Sequence, residues 1–431
     1  MSKILKLLYG ILLLPFALIF VVFVRLISPL IVIRWHAMIS TRIGHFAENT
    51  NVYLCEKKLG YHKLKKKIVL DLFYFYPSVC NNQLAKMWKR KLIIFPYFFM
   101  HVVNFINENI ANRIYRTVIH DLGYYRDDTD LKKHQDIIVT DLRHGQNINL
   151  VVPPLTSVDR FNSQEKSKIN ISFTKKEINK GEIVLKKFGI NPNKKIIGII
   201  LRDETYLQKR YPNISWEHHQ IRQSPYNYYE DCAKKLIDLG YIVVVFGAQE
   251  KDFITNNTYI NYSNSILKSD FMDIYLNSKL HFAVSSANGL DAIPIIFNKP
   301  IVEVAVAPIE SLRTYCKRIK ILFKTYYSKT LQRKLSLKEI YEFNINSLQG
   351  GDLSDEIEFI HPTSEEITSA ALEMHKELQN NFKYSEEEEI LQKKFKDIHR
   401  SFTINTWRDV EHFTSSIGTL FLKNNKNLLD K

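Results

Sequence analysis

The sequence predicts an α/β fold built on a doubly wound parallel sheet. Two observations predict it. From residue 191 onward, strand-like and helix-like apolar periods alternate in short units, the pattern of successive β–α units. The stretch 195–201 (KIIGIIL) also has no polar face, as expected of a parallel strand covered on both sides. Length and composition agree with this. The chain has 431 residues, 45% hydrophobic and 24% charged, which suits two or three globular domains. That balance excludes a disordered, collagen-like or many-span membrane chain.

The first element is apolar. Residues 7–24 (LLYGILLLPFALIFVVFV) carry no charge, close to the roughly 20 residues a helix needs to cross a bilayer. Arg25 interrupts the run, residues 26–33 are apolar again, and no A-x-A cleavage site follows. Residues 1–34 are therefore expected to be a retained membrane anchor. Pro15 would also suit a re-entrant or interfacial helix. Lys3 and Lys6 precede the run, and Arg25, Arg34 and Arg42 follow it, so charge gives no clear orientation.

Further on, 67–75 (KIVLDLFYF) reads as a strand, 82–90 as a helix, 92–95 as a strand, 98–119 as a helix and 121–138 as a polar loop. Pro153 and Pro154 mark a turn. Thr174 with Glu177 three residues later is a capping-box helix start, and Gly189 a stop; Gly181 is unfavourable inside that helix. Strands at 195–201, 241–246, 280–284 and 301–306 then alternate with helices at 226–239, 270–278 and 288–297. Thr363 or Ser364 caps a helix running to about 380, and 385–402 and 409–429 read as two more.

Sixty Lys+Arg against forty-five Asp+Glu give a net charge of +15, which points to an anionic partner. Nucleic acid ranks last among the candidates, because the basic residues are dispersed and form no recognised motif. The stretch 317–338 (KRIKILFKTYYSKTLQRKLSLK) interleaves basic and apolar residues, which suits a helix on an anionic bilayer surface; 63–67 adds charge nearer the anchor. The four cysteines, Cys55, Cys80, Cys232 and Cys316, are widely spaced, so neither a disulfide framework nor a zinc finger is expected.

In a doubly wound sheet, ligands sit beyond the carboxyl ends of the strands. After 195–201 come Arg202, Asp203 and Tyr206, where a guanidinium braced by a carboxylate suits a phosphate. Gly247 follows 241–246, in a small-residue turn where a ligand could approach the backbone. Ser285, Ser286, Gly289 and Asp291 surround the start of the next helix, a place for free N–H groups and an anion. The loop 211–229 is rich in aromatic and basic residues; Arg222 suits a phosphate, and His219 could act as a general base. In the first half, His45 and Glu48 are candidate bases beside a glycine turn. Asp128 and Asp130 form a D-x-D triplet that follows no apolar strand and reads as solvated loop. No metal-ligand spacing is evident, so neither metal nor cofactor is expected.

The stretches 42–57 (RIGHFAENTNVYLCEK), 199–207 (IILRDETYL), 218–225 (HHQIRQSP), 240–248 (GYIVVVFGA), 285–304 (SSANGLDAIPIIFNKPIVEV) and 359–374 (FIHPTSEEITSAALEM) carry a resemblance, together with 173–181 and 417–429. They resemble an uncharacterised family of bacterial glycosyltransferases from surface-polysaccharide gene clusters. The resemblance implies a GT-B-like architecture of two Rossmann-like domains facing a cleft: an acceptor domain at 35–190, a nucleotide-sugar donor domain at 191–380, and C-terminal helices at 381–431 packing back on the N-terminal domain. It also implies that Arg202, Asp203, Ser286, Gly289 and Asp291 are donor-side, and His45 and Glu48 acceptor-side. The chain departs from the family at Val245-Phe246-Gly247, in place of an Arg-Met-Gly-like triplet, which counts against a phosphate contact there.

The expected function is a metal-independent, membrane-associated glycosyltransferase acting on a glycan or lipid-linked glycan acceptor in lipopolysaccharide or other surface-polysaccharide biosynthesis. It would lie on the cytoplasmic side of the inner membrane. The alternatives are a non-catalytic, membrane-tethered assembly protein and another transferase on the same fold, such as a pyruvyl transferase.

Overall fold

A computed structural model of the chain describes residues 3–27, 30–61, 68–106, 138–140, 147–149, 158–191, 193–202, 221–247, 259–345, 356–404, 406 and 408–430. The chain forms two compact units. Unit 1 comprises residues 1–157 and 166–172; unit 2 comprises 158–165 and 173–431.

In unit 1, α1 (Lys3–Ile27) leads into a β–α–β–α–β run: β1 (Ile31–Met38), α2 (Ile43–Leu59), β2 (Ile68–Phe75), α3 (Asn82–Lys89) and β3 (Ile94–Phe95), followed by α4 (Tyr97–Ile106). The three strands pair in parallel in the order β1-β2-β3. Strand β2 sorts its side chains by period 2, as a strand covered on both faces must. Phe73 and Phe75 meet Tyr53 and Phe46 of α2, edge-to-face at 5.2 and 5.4 Å, and Asp71 accepts from Tyr53 Oη at 2.5 Å. Leu72 and Tyr74 share the opposite core with α1 and α4. A short antiparallel pair, β4 (Ile138–Thr140) and β5 (Asn147–Asn149), is also described.

Helix α1 corrects the expectation of a separate anchor. Ala17, Val21 and Val24 form a buried stripe at helical spacing, packed with Met100 and Val103 of α4 and Leu72 of β2. A helix that spends one face on a protein core is not surrounded by lipid. Among the described residues no helix is long and apolar enough to cross a membrane. The apolar stretch 26–33 is divided between the end of α1 and the start of β1.

The short α5 (Ser163–Lys166) ends at a crossing between the units, and α6 (Lys175–Lys187) follows within unit 2. The capping box of α6 forms as expected, with Glu177 N donating to Thr174 Oγ1 and Thr174 N donating to Glu177 Oε2. Helix α6 lies in unit 2, so the first half ends before residue 190. Next come β6 (Ile196–Ile200), a 3-10 turn at Tyr226–Tyr229, α7 (Glu230–Asp238), β7 (Ile242–Phe246), β8 (Tyr259–Asn261), α8 (Asp270–Ser278), β9 (Leu280–Ser285), a 3-10 turn at Gly289–Asp291, α9 (Ala292–Ile296) and β10 (Ile301–Val306). After these come β11 (Ile319–Phe323), β12 (Thr325–Ser328), β13 (Arg333–Lys334), α10 (Leu337–Glu342), β14 (Ile357–Ile360), α11 (Ser364–Glu377), α12 (Glu386–Thr403), β15 (Ser416–Ile417) and α13 (Thr419–Asn424).

Seven of these strands form one sheet in the order β15-β11-β10-β9-β6-β7-β8, and all their pairings are parallel. The chain builds outward from β6 to β8, then crosses back to β9 and builds the other way. The winding therefore reverses between β6 and β9. Strands β12, β13 and β14 form a small antiparallel sheet.

Two expectations fail here. The basic stretch 317–338 is not a surface helix: it forms β11, β12 and β13 before α10 begins, and both Lys320 and Lys324 are buried. All five residues of β11, Lys320 included, are buried, as in a parallel strand covered on both faces. The C-terminal residues belong to unit 2, and 409–429 is not one helix. Strand β15 joins the sheet beside β11, and Phe395 of α12 and Phe421 of α13 pack on Phe323.

Candidate functional site

Because all strands of the unit 2 sheet run parallel, their carboxyl ends lie along one edge. At the switch between β6 and β9, Arg202 N donates to Ser286 Oγ at 2.7 Å, while Ser286 N donates to Ile200 O at 2.9 Å. This is the place where open parallel sheets bind ligands, because the two connections leave in opposite directions and open a crevice.

The floor of that edge is polar and buried. Asp291 and Glu303 lie within 1% exposure. Arg313 donates to both: Nη2 to Asp291 Oδ1 at 3.0 Å, and Nη1 to Glu303 Oε1. Ser285 Oγ donates to Asp291 Oδ2 at 3.3 Å. Arg222 reaches in from the segment before the 3-10 turn. Its Nε donates to Ala307 O and its Nη2 to Ser311 Oγ, both at 3.1 Å. Burial, and then the charges of Arg202 and Arg313, push Arg222 down to about 10. Arg408 is drawn into the same field beside Glu310 and Arg222; burial lowers it to about 10.

The predicted residues separate by role. Arg202 follows β6 and lies near enough to Arg222 for its positive charge to act on it. Ser285 and Ser286 are fully buried and bond within the fold, and Asp291 is the partner of Arg313. These three are scaffold at the switch point. The helix expected after them is shorter than the sequence suggests: one 3-10 turn and the five-residue α9. Such a helix has little dipole to offer an anion. Gly289 is exposed next to Asn288, whose Oδ1 accepts from Leu290 N.

Gly247 is glycine for a steric reason. Its φ is +100°, and a Cβ there would lie 2.0 Å from Leu201 O, because the ends of β6 and β7 close on each other. Asp203, Tyr206 and His219 lie outside the described residues, as do the D-x-D triplet and 63–67. His45 and Glu48 lie in the first two turns of α2 in unit 1. Glu48 is fully buried, which does not present its carboxylate to an acceptor at the surface.

Sequence reasoning missed Glu303, Glu310, Arg313, Lys324, His361 and Arg408. Two of them carried a signal. Glu303 is the single charge in an otherwise apolar strand, and Lys324 directly follows a strand, as Arg202 does. Lys324 was hidden because its stretch reads as a helix. Among the described residues, no group of three His, Cys, Asp or Glu side chains is placed to hold a metal ion.

No protein-family model matches the chain, and no curated protein matches it. Several solved structures are similar to it. The ADP-heptose LPS heptosyltransferase II of E. coli is 12% identical, with a TM-score of 0.40, over 67% of this chain and 90% of that one. A glycosyl transferase family 9 protein from Veillonella parvula is 13% identical, with a TM-score of 0.39, over 68% of this chain and 85% of that one. The UDP-GlcNAc 2-epimerase of Neisseria meningitidis, bound to UDP-GlcNAc, is 12% identical, with a TM-score of 0.31, over 82% of this chain and all of that one (100%). At these scores nothing is carried over from them to this chain.

Proposed function

We propose that this protein is a glycosyltransferase that holds a nucleotide-sugar donor at the carboxyl edge of the unit 2 sheet. One observation carries the reading: Arg202 stands at the β6–β9 switch point of a doubly wound parallel sheet, near enough for its charge to act on Arg222, over a floor where Arg313 pairs with both Asp291 and Glu303. Arg202, Arg222, Arg313 and Arg408 outnumber Asp291, Glu303 and Glu310 there, an excess of positive charge that favours an added anion. The sequence resemblance points the same way.

Sugar transfer breaks the bond between the anomeric carbon and the donor phosphate, and negative charge grows on the leaving diphosphate. Fixed guanidiniums stabilise that charge where it develops and need no metal to do so. The acceptor hydroxyl gives its proton to a base as the new glycosidic bond forms. His219 and His45 keep that role as candidates; Glu48, being buried, is a weaker one.

The proposal extends to the membrane in a changed form. The face of α1 opposite its buried stripe exposes Leu8, Ile11, Leu12, Phe16, Ile19 and Leu26, the last at 75%. An apolar helix face flanked by Lys3 and Lys6 suits a helix lying in the interface of an anionic bilayer, not one spanning it. Nucleotide sugars and lipid-linked acceptors would meet there, on the cytoplasmic side of the inner membrane.

The test of donor binding is a thermal-shift screen against nucleotides and nucleotide sugars, since a ligand specific for the folded state raises its melting temperature. With the active donor in hand, Arg202→Ala should lower the transfer rate by at least about 100-fold, the usual effect of removing one oxyanion-type contact. Near-normal turnover in a folded R202A protein would remove Arg202 from the phosphate site.

A further inference from the structure

Strand β11 and its end carry two buried lysines that are treated in opposite ways. Lys320 is fully buried and fully matched. Its ammonium lies 3.0 Å from Glu373 Oε2 and 2.9 Å from Glu377 Oε1, donates to Ser416 Oγ at 3.2 Å, and sits over the rings of Phe382 and Tyr384. Burial works against its charge, but Glu373, Tyr384 and Glu377 overcome it and hold it protonated. Lys320 is a structural ion pair.

Lys324 lies just past the end of the same strand, at the carboxyl edge of the sheet, with its N–H donating to Val306 O at 3.1 Å. It is 6% exposed. Its ammonium donates to one backbone carbonyl, Gln223 O, at 2.6 Å. Among the described residues no carboxylate faces it. Around it stand His361, whose Nε2 lies 3.3 Å from the same carbonyl, and Tyr228, stacked on the His361 ring at 4.7 Å. Burial and Lys324 itself push His361 down to about 4, so it is neutral near pH 7 and offers no counter-charge. Arg222, next in the chain to Gln223, adds a second cation at this edge.

An ammonium with two of its three N–H groups unmatched and no counter-ion is costly to bury. A fold does not need that arrangement for stability, since Lys320 shows how the same strand satisfies a buried lysine.

We propose that Lys324 is an oxyanion-binding residue, its ammonium taking a phosphate oxygen beside Arg222. The ligand is a nucleoside diphosphate moiety or a free phosphate-type anion; this rests on the donor reading of the same edge. Gln223 O and the stacked His361–Tyr228 pair fix the ammonium and shield it from water, which strengthens its pull on an anion. Burial brings Lys324 down to about 8. The anion favours the protonated form, so binding is strong below about pH 8 and weakens as pH rises through it.

The experiment is isothermal titration of the full chain with ADP, UDP, GDP and inorganic pyrophosphate, for wild type and Lys324→Met. Wild type should bind at least one probe, and K324M should bind it at least about 10-fold more weakly. The ligand-free variant should melt at or above the wild-type temperature, because it loses an uncompensated buried charge. A second measurement needs no variant. From about pH 7.5 to about pH 9, above the titration of a nucleoside diphosphate's terminal phosphate, wild-type affinity should fall several-fold, following the protonated fraction of a group that titrates near 8. Unchanged affinity in K324M, no binding of any probe by wild type, or a flat pH profile would each overturn the proposal. Pyrophosphate binding as tightly as the nucleotides marks a site for free phosphate-type anions; tighter nucleotide binding marks a donor site. Lys324-dependent binding without turnover of any nucleotide sugar would defeat glycosyl transfer and leave this site standing. Transfer and binding that survive in K324M would do the reverse.

Discussion

Gly181 and Gly247 are glycines because something else occupies the space of a side chain. A Cβ on Gly181, in the middle of α6, would lie 2.1 Å from Cε1 of Tyr275, whose ring lies against the helix. The unfavourable glycine in that helix is explained by this close contact, which outweighs a helix-propensity cost of about 1 kcal/mol. At Gly247 the obstacle is backbone, the Leu201 carbonyl, and φ is positive as well. Gly247→Ala should therefore destabilise unit 2 by at least about 2 kcal/mol, since neither the strain nor the clash can relax through a side chain. Chemical denaturation followed by tryptophan fluorescence checks this; an unchanged midpoint would mean that the ends of β6 and β7 separate freely. The position of Arg202 at a strand end was legible, because the apolar run 195–201 stops just before it. Arg313 was not. Its role comes from Asp291 and Glu303, two carboxylates brought together only when β9 and β10 pair.

Elements with local signals were legible. The helix starts at Thr174, Thr363 and Ser385 all form capping boxes in which a side chain satisfies otherwise unpaired N–H groups. Those bonds span three residues and need no tertiary partner. The stretches 317–338 and 409–429 were misread for the opposite reason. The first is basic and apolar in mixed order, and only its burial in the sheet distinguishes a strand from an amphipathic helix. In the second, β15 is two residues long and exists because β11 offers an edge. That edge gives a prediction. Deleting residues 404–431 exposes the β11 edge and leaves Phe323 and Phe395 without Phe421 and Phe413. The truncated protein should be insoluble or melt far below the full chain, because an uncovered edge strand and an opened aromatic core both favour aggregation. A soluble truncate with a wild-type melting temperature would show that these residues are dispensable.

For the whole molecule, the charge of +15 now has particular destinations. Lys320 and Arg313 contribute nothing to it, since each is buried against two carboxylates, whereas Lys324 stands at the carboxyl edge of the sheet without a counter-ion among the described residues. The apolar face of α1 gives the molecular surface a direction. Phe16→Ser combined with Ile19→Ser should lower flotation with vesicles containing anionic lipid by several-fold, because it removes apolar area worth about 25 cal/mol per Å² without touching the buried Ala17, Val21 and Val24. Equal flotation of the double variant would argue against α1 as the membrane contact.

The sequence by itself determined the α/β class, the parallel β–α units and the better-capped helices, because apolar period and capping are written in neighbouring residues. Only the tertiary structure decided that the N-terminal apolar run is part of unit 1, that the chain's last residues complete the sheet of unit 2, and that one lysine of β11 is neutralised while the next stands without a counter-ion. Those outcomes depend on which distant residues share a face or an edge, and local spacing carries no record of that.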